Sequence, residues 1–417
     1  MKKVLKIIGA IILALIVLIT ILYIGLKIYI SMNLDDEDLN DDSHMILKTA
    51  DIPDEENAWF DLKKAGEAMY YPKDKEDLIK KMSSGEEWNE ELAKQITEKN
   101  QDACKYIEAS LNKKYLANPS FKGLKEEDYS ATLVLESANF IRKLNRIYLI
   151  SAKNSLLAGD FNKGLEEISN DLSLGNKFKN SSVGTTLIEY LIGLAVSENA
   201  YSLIENINSD FPIYKENSII LQKKLEESKN NKEGLAEVFK FEYLIMRNEA
   251  NNLSSKEYLK ENIPEYSEEM SSRFPFYLKK NKFRNMILRK FERDVENSHR
   301  SCDNLIPFEK EVDLSNKNKL ALLFTENAIG KILIDITSIS FDSVQEKRCK
   351  EDFRVTALQV QLAANAYKAD NGNYPESIRD LEDYGYLAVE MPANLHGWNI
   401  KYDKNTGKLI FPENIKK

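Results

Sequence analysis

Residues 156–204 read LLAGDFNKGLEEISNDLSLGNKFKNSSVGTTLIEYLIGLAVSENAYSLI. Gly159-Asp160 interrupts a helical pattern that enters from the N-terminal side. Glycine suits the end of one helix and aspartate the N-cap of the next. A helix over 161–178 follows, and from Val183 to Val196 nearly every position is apolar. A helix without a polar face has to lie among other helices. A second membrane span is the rival reading. Glu189 sits in mid-run, and the run falls short of about 20 uncharged residues, so burial is preferred. The stretch sets the fold class as mainly α, with helices packed on helices.

Working outward, the same logic extends both ways. Asp128 to Ala158 reads as a long helix with Leu133, Phe140, Leu144, Tyr148 and Leu156 on its apolar side. From Glu86 to Leu111, Trp88, Leu92, Ile96, Ala103, Ile107 and Leu111 form one apolar stripe, with Cys104 beside it as core filler. Ala58, Leu62, Ala65 and Met69 recur at helical spacing until Pro72. Towards the C-terminus, helices are expected over 215–228, 232–250 and 274–295. The last of these is basic, through Lys279, Lys280, Lys282, Arg284, Arg289, Lys290 and Arg293. Such a helix either pairs with acidic neighbours, the favoured reading, or lies on anionic lipid. Asn318 to Ala369 reads as one long helix or two stacked ones, closed by Asn371-Gly372 and Pro375. A short helix over 376–383 follows. Trp398, Ile400 and Tyr402, the turn DKNTG, then Leu409 and Phe411 spell a β-hairpin, with Gly407 at the turn. Only 16 glycines and 10 prolines in 417 residues suit an α-rich chain.

Ile7 to Leu26 holds no charge. At about 1.5 Å per residue it spans roughly 30 Å, the hydrocarbon thickness of a bilayer. Lys2, Lys3 and Lys6 precede it, and Asp35, Asp36, Glu37, Asp38, Asp41 and Asp42 follow. The positive side stays in the cytoplasm, so a single-pass anchor with an extracytoplasmic or periplasmic body is expected. No small-x-small cleavage site ends the run, which favours an uncleaved anchor over a signal peptide. The expected organisation is a cytoplasmic tip (1–6), a transmembrane anchor (7–31), an acidic linker read as a solvated spacer (32–50), a helical body (51–315), and a long helix with a small α+β tail (316–417).

The net charge of −9 argues against a general nucleic-acid binder. Three cysteines, Cys104, Cys302 and Cys349, make no disulfide scaffold and no zinc pair. An extracytoplasmic body permits a Cys302–Cys349 bridge, worth about 4 kcal/mol in the chain-entropy model; three free buried thiols are the other reading. His44, His299 and His396 stand apart, so no metal site is expected, and no catalytic or cofactor motif appears. Glu189 and Asp335, carboxylates within apolar runs, are the residues on which a glycosidase-like alternative would rest, against simple hydrogen-bonded burial.

Two resemblances carry further expectations. RVTALQVQLAANAYKADNGNYPESIRDLEDYGYL with PANLHGWNIKYDKNTGKLIF, within residues 353–412, resembles the globular region of type II secretion pseudopilins through A-Y-K-x-D-N-G-x-Y-P, a short helix and a small antiparallel sheet. The N-terminus lacks the cleavage site and early glutamate of pseudopilins, so their processing, assembly and calcium site are not implied. DEENAWFDLKKA, GTTLIEYLIGLA, NAIGKIL and NGNYPESIRDL together are similar to uncharacterised bacterial envelope proteins with a signal anchor and a helical body. LLAGDFNKGLEEISNDLSLG looks like half a tetratricopeptide repeat, in a single copy. The expectation is an envelope interaction or scaffold protein with a protein partner. An accessory of a secretion or pilus-like system, or an enzyme on envelope glycan or lipid, are the alternatives.

Overall fold

A computed structural model describes residues 15–27, 29, 35–47, 52–123, 138–180, 184–211, 213–229, 231–253, 278–307, 309, 325–391, 394–395 and 398–410. The fold is mainly helical, with small antiparallel strand pairs near the C-terminus. In chain order the helices are α1 (15–27), α2 (Ala58–Ala68), α3 (Glu76–Ser84), α4 (Glu90–Lys99), α5 (Gln101–Leu111), α6 (Ala138–Leu157), α7 (Phe161–Lys179) and α8 (Leu187–Asp210). They continue with α9 (Lys215–Glu227), α10 (Lys232–Leu253), α11 (Lys280–His299), α12 (Ala328–Asn371) and α13 (Ile378–Asp383). The chain forms two compact units. The first comprises Met1–His44, Met246–Lys290 and Phe308–Ile339; the second comprises Met45–Ile245, Phe291–Pro307 and Ser340–Lys417.

Among the described residues no helix is long and apolar enough to cross a membrane. Of the expected anchor over 7–31, residues 7–14, 28, 30 and 31 lie outside them; the described part is mainly α1, whose apolar side chains are about half exposed (Leu15 52%, Leu22 64%).

In the second unit α6, α7 and α8 pack as consecutive neighbours. Gly159, at φ 85°, ends α6, and the Asp160 carboxylate accepts from the Lys163 amide at 3.2 Å to open α7. Thr186 opens α8. Its hydroxyl accepts from the Glu189 amide at 3.2 Å, while the Glu189 carboxylate accepts from the Thr186 amide at 2.9 Å, a reciprocal capping box. α7 and α8 touch backbone to backbone at Gly175 and Gly193. A Cβ on Gly193 would lie 2.8 Å from the Gly175 carbonyl oxygen. Tyr190, Ile192, Val196, Ala200, Tyr201 and Ile204 are all buried, as the all-round apolar run demands.

The stripe from Glu86 to Leu111 is two helices rather than one. Asn100 parts α4 from α5 because its side chain clamps Tyr70, accepting from the Tyr70 amide at 2.8 Å and donating to its carbonyl at 3.0 Å. Cys104 is half-buried against the core these helices share with α2 and α6. Residues 128–137 of the expected helix before Ala158 lie outside the described residues.

Toward the C-terminus α12 is one helix of 44 residues, stopped at Gly372 with φ 84°. Ser377 and Asp380 cap α13 reciprocally. Strands Asn394–Leu395 (β1) and Trp398–Asn399 (β2) pair antiparallel, as do Lys401–Asp403 (β3) and Lys408–Ile410 (β4). The β3–β4 register is Tyr402↔Leu409, with Gly407 at φ 69° in the turn. Leu409 buries against Val360, Ala363 and Ala364 of α12.

In the first unit Asp35 to Asp41 stay exposed, as expected of the acidic stretch, and the same stretch also makes contacts with α11. Asp36 caps α11, accepting from the Asn281 and Lys282 amides at 2.6 and 3.0 Å. Asn285 donates to Glu37 at 2.9 Å, and Asp42 lies 3.4 Å from Arg247 and 3.8 Å from Arg284. Lys279 and Lys282 both grip Glu326. The basic helix thus finds its partners within the chain. Repulsion among neighbouring carboxylates is outweighed because free helix N–H groups and cations face them.

Candidate functional site: a cationic groove

α6, α8 and α12 leave a groove of about 420 Å³ in the second unit. Leu191, Leu194 and Ala195, on one face of α8 at helical spacing, form its apolar floor. Arg142 of α6 stands on one bank, and Lys347, Lys350, Glu351 and Arg354 of α12 on the other. Arg354 and Glu198 close one end. The Arg354 guanidinium pairs with both Glu198 and Glu205, the latter at 2.8 Å, and donates to the Ser202 hydroxyl at 3.1 Å. Burial holds its pKa below the ordinary arginine value.

Beneath the α12 bank lies a polar core. Lys179 is fully buried, with its ammonium 2.6 Å from Glu351 and bonded to the Ser228 carbonyl. The Tyr201 hydroxyl donates to Glu351 at 2.9 Å. Burial raises the Glu351 carboxyl above its ordinary value, with Lys179 pulling the other way. A paired, hydrogen-bonded charge of this kind is costly to break but is no strong net stabiliser. It fixes the position of α12 against α7 and α8, and with it the bank.

The remaining cations are differently placed. Arg142, Lys347 and Lys350 are exposed and make no ion pair with any described residue. The lining carries no hydroxyl, thiol or imidazole. Chemically, the groove can hold a ligand that is anionic at its edges and apolar between them.

The residues singled out from the sequence are spread elsewhere. Cys302 and Cys349 are joined in a disulfide, with Cα atoms 6.0 Å apart. Arg348 beside them donates to the Ser298 and Arg300 carbonyls at 2.6 and 3.1 Å. Glu189 is fully buried, and that burial pushes its carboxyl up to about 7 against the Thr186 hydrogen bonds. Those bonds make it a capping residue, and the cavity lined by nearby Asn118 is only about 40 Å³, room for a few waters. Asp335 is buried in the first unit, whereas Glu189 belongs to the second. His299 lies 3.7 Å from Glu233, His44 sits in the first unit, and His396 is outside the described residues. Among the described residues no three His, Cys, Asp or Glu side chains converge as a metal site would need.

Two further buried carboxylates belong to the bundle itself. Asp171 is held by both of its oxygens on Asn145 at 2.9 Å, and Glu167 accepts from Ser151 and Ser155 at 3.1 and 3.0 Å. Burial raises the pKa of both. The chain matches no protein-family model, no curated protein and no solved structure.

Proposed function

We propose that this protein is a membrane-anchored, extracytoplasmic interaction or scaffold protein. Its N-terminal run crosses the membrane once, and its helical units recruit a protein partner outside the cytoplasm. The observation that carries the reading is the uncharged run Ile7–Leu26, preceded by lysines, whose leucines and isoleucines within α1 stand about half exposed. A bilayer removes such a surface from water, and each leucine buried there contributes on the order of 2 kcal/mol. The Cys302–Cys349 bridge fits an oxidising compartment. The groove gives a partner somewhere to dock.

The test is protease accessibility on protoplasts or spheroplasts of cells producing the full chain. The expected result is loss of everything beyond residue 31 while a cytoplasmic control stays whole. Protection until the membrane is lysed overturns the reading. A second reading, an accessory of a secretion or pilus-like machine, draws support from α12 running into a small sheet that buries Leu409 on its own helix; co-purification with secretion subunits tests it.

A further inference from the structure

We propose that the groove over α8 docks an acidic amphipathic helix of the partner protein, an inference that rests on the interaction role above. The floor comes first. Positions 191, 194 and 195 follow the spacing of a single helix face, and they stay only half-buried. The other faces of α8, with Tyr190, Ile192, Val196 and Tyr201, are closed by the bundle. An uncovered stripe of this kind accepts apolar side chains that recur every third or fourth residue, the pattern by which a helix lies in a groove.

The banks decide the charge. Lys347, Lys350 and Arg354 follow one another along α12 over eight residues, a rise of about 10 Å. Arg142 faces them from α6. Arg354 is satisfied by Glu198 and Glu205, which leaves Arg142, Lys347 and Lys350 to an incoming partner. Positive charge therefore borders the apolar floor on both sides, with the Arg354–Glu198 pair at one end. The complement is an apolar stripe flanked by carboxylates. A single-headed lipid would need its cations gathered at one end and its chain enclosed, and this floor is open. Nucleic acid would need a far broader basic footprint than three free cations on a chain of net charge −9.

The experiment places the photo-crosslinker p-benzoylphenylalanine at Leu194, and in a separate variant at exposed Ile220 of α9, in the full chain within its own cells. Adducts are identified by mass spectrometry. The expected result is an adduct from position 194 to a protein segment whose apolar i, i+3 or i+4, i+7 stripe is flanked by Asp or Glu. A synthetic peptide of that segment then binds the full chain in neutral phosphatidylcholine nanodiscs. Binding weakens at least tenfold in a K347E/K350E variant of unchanged circular dichroism, survives in K347R/K350R, and weakens with added salt. An adduct to lipid, a segment without flanking acids, or indifference to charge reversal overturns the proposal. Silence at 194 with capture at 220 removes the groove assignment and leaves the interaction role standing; silence at both removes both.

Discussion

Replacing Glu189 by glutamine should make the second unit more stable at pH 8 and leave it nearly unchanged at pH 4. Burial lifts the Glu189 carboxyl from 4.5 to about 7, with Glu242 adding repulsion and Thr186 and Asn118 opposing through hydrogen bonds. The folded state thus holds this proton more tightly than the unfolded chain. Below pH 4.5 the group is protonated in both states and costs nothing. Between pH 4.5 and about 7 the unfolded chain ionises while the folded carboxyl keeps its proton, so stability is lost across that window and levels off above it. At about 1.4 kcal/mol per tenfold change in proton affinity, the loss is about 3 kcal/mol above pH 7. The Glu189→Gln side chain carries no such penalty and can still accept from Thr186, since glutamine serves at this capping position. The assay is denaturant unfolding of the full chain in neutral micelles, followed by circular dichroism between pH 4 and 8. Glu167, Asp171 and Glu351 shift in the same direction, so the wild type itself should weaken as pH rises above the ordinary carboxyl range. The difference between variant and wild type isolates Glu189. A difference that stays constant from pH 4 to 8 refutes the reasoning.

Lys179→Met strands the Glu351 carboxylate and should cost about 3–5 kcal/mol, whereas K179M/E351L should recover most of it, both read from denaturant midpoints. Reducing the Cys302–Cys349 bridge, or Cys302→Ser, frees a separation of 47 residues and should lower stability by about 4 kcal/mol; equal midpoints with and without reductant refute this. Gly193→Ala places a methyl 2.8 Å from the Gly175 carbonyl oxygen, the Lys179 side chain and Phe178. Backbone cannot yield as a side chain tip can, so a loss of about 1–3 kcal/mol is expected in the same assay.

Local signals were legible where one stretch of chain holds all the partners. Gly159-Asp160 announced the α6–α7 turn, Asn371-Gly372 the end of α12, and Gly407 the hairpin. Glu189 is hydrogen-bonded and buried, the plainer of the two readings, and the sequence also carried its specific role. Thr186-x-x-Glu189 is a helix-start pattern, and the carboxyl it supplies serves the cap. Asn100 could not be read as a break, because the Tyr70 backbone it clamps lies 30 residues away. The contact that the acidic stretch makes with α11 was hidden for the same reason, its cap site being 245 residues distant. The groove was not legible at all. EKRCKEDFR reads as an ordinary solvated helix face until Arg142 and the Leu191 stripe, some two hundred and one hundred and fifty residues earlier in the chain, are set opposite it.

The docking of the acidic stretch on α11 also fixes a length. On the proposed topology the apolar run ends at Leu26 and Asp36 is already seated on the helix. Only nine residues, 27–35, separate the two, and a fully extended chain of that length reaches at most about 32 Å. On that topology the first unit would sit within about 32 Å of the bilayer rather than at the end of a long stalk. On the same topology, anything that binds that unit would be sought in the thin layer next to the membrane, where confinement to a surface raises its encounter rate with neighbours in the same bilayer.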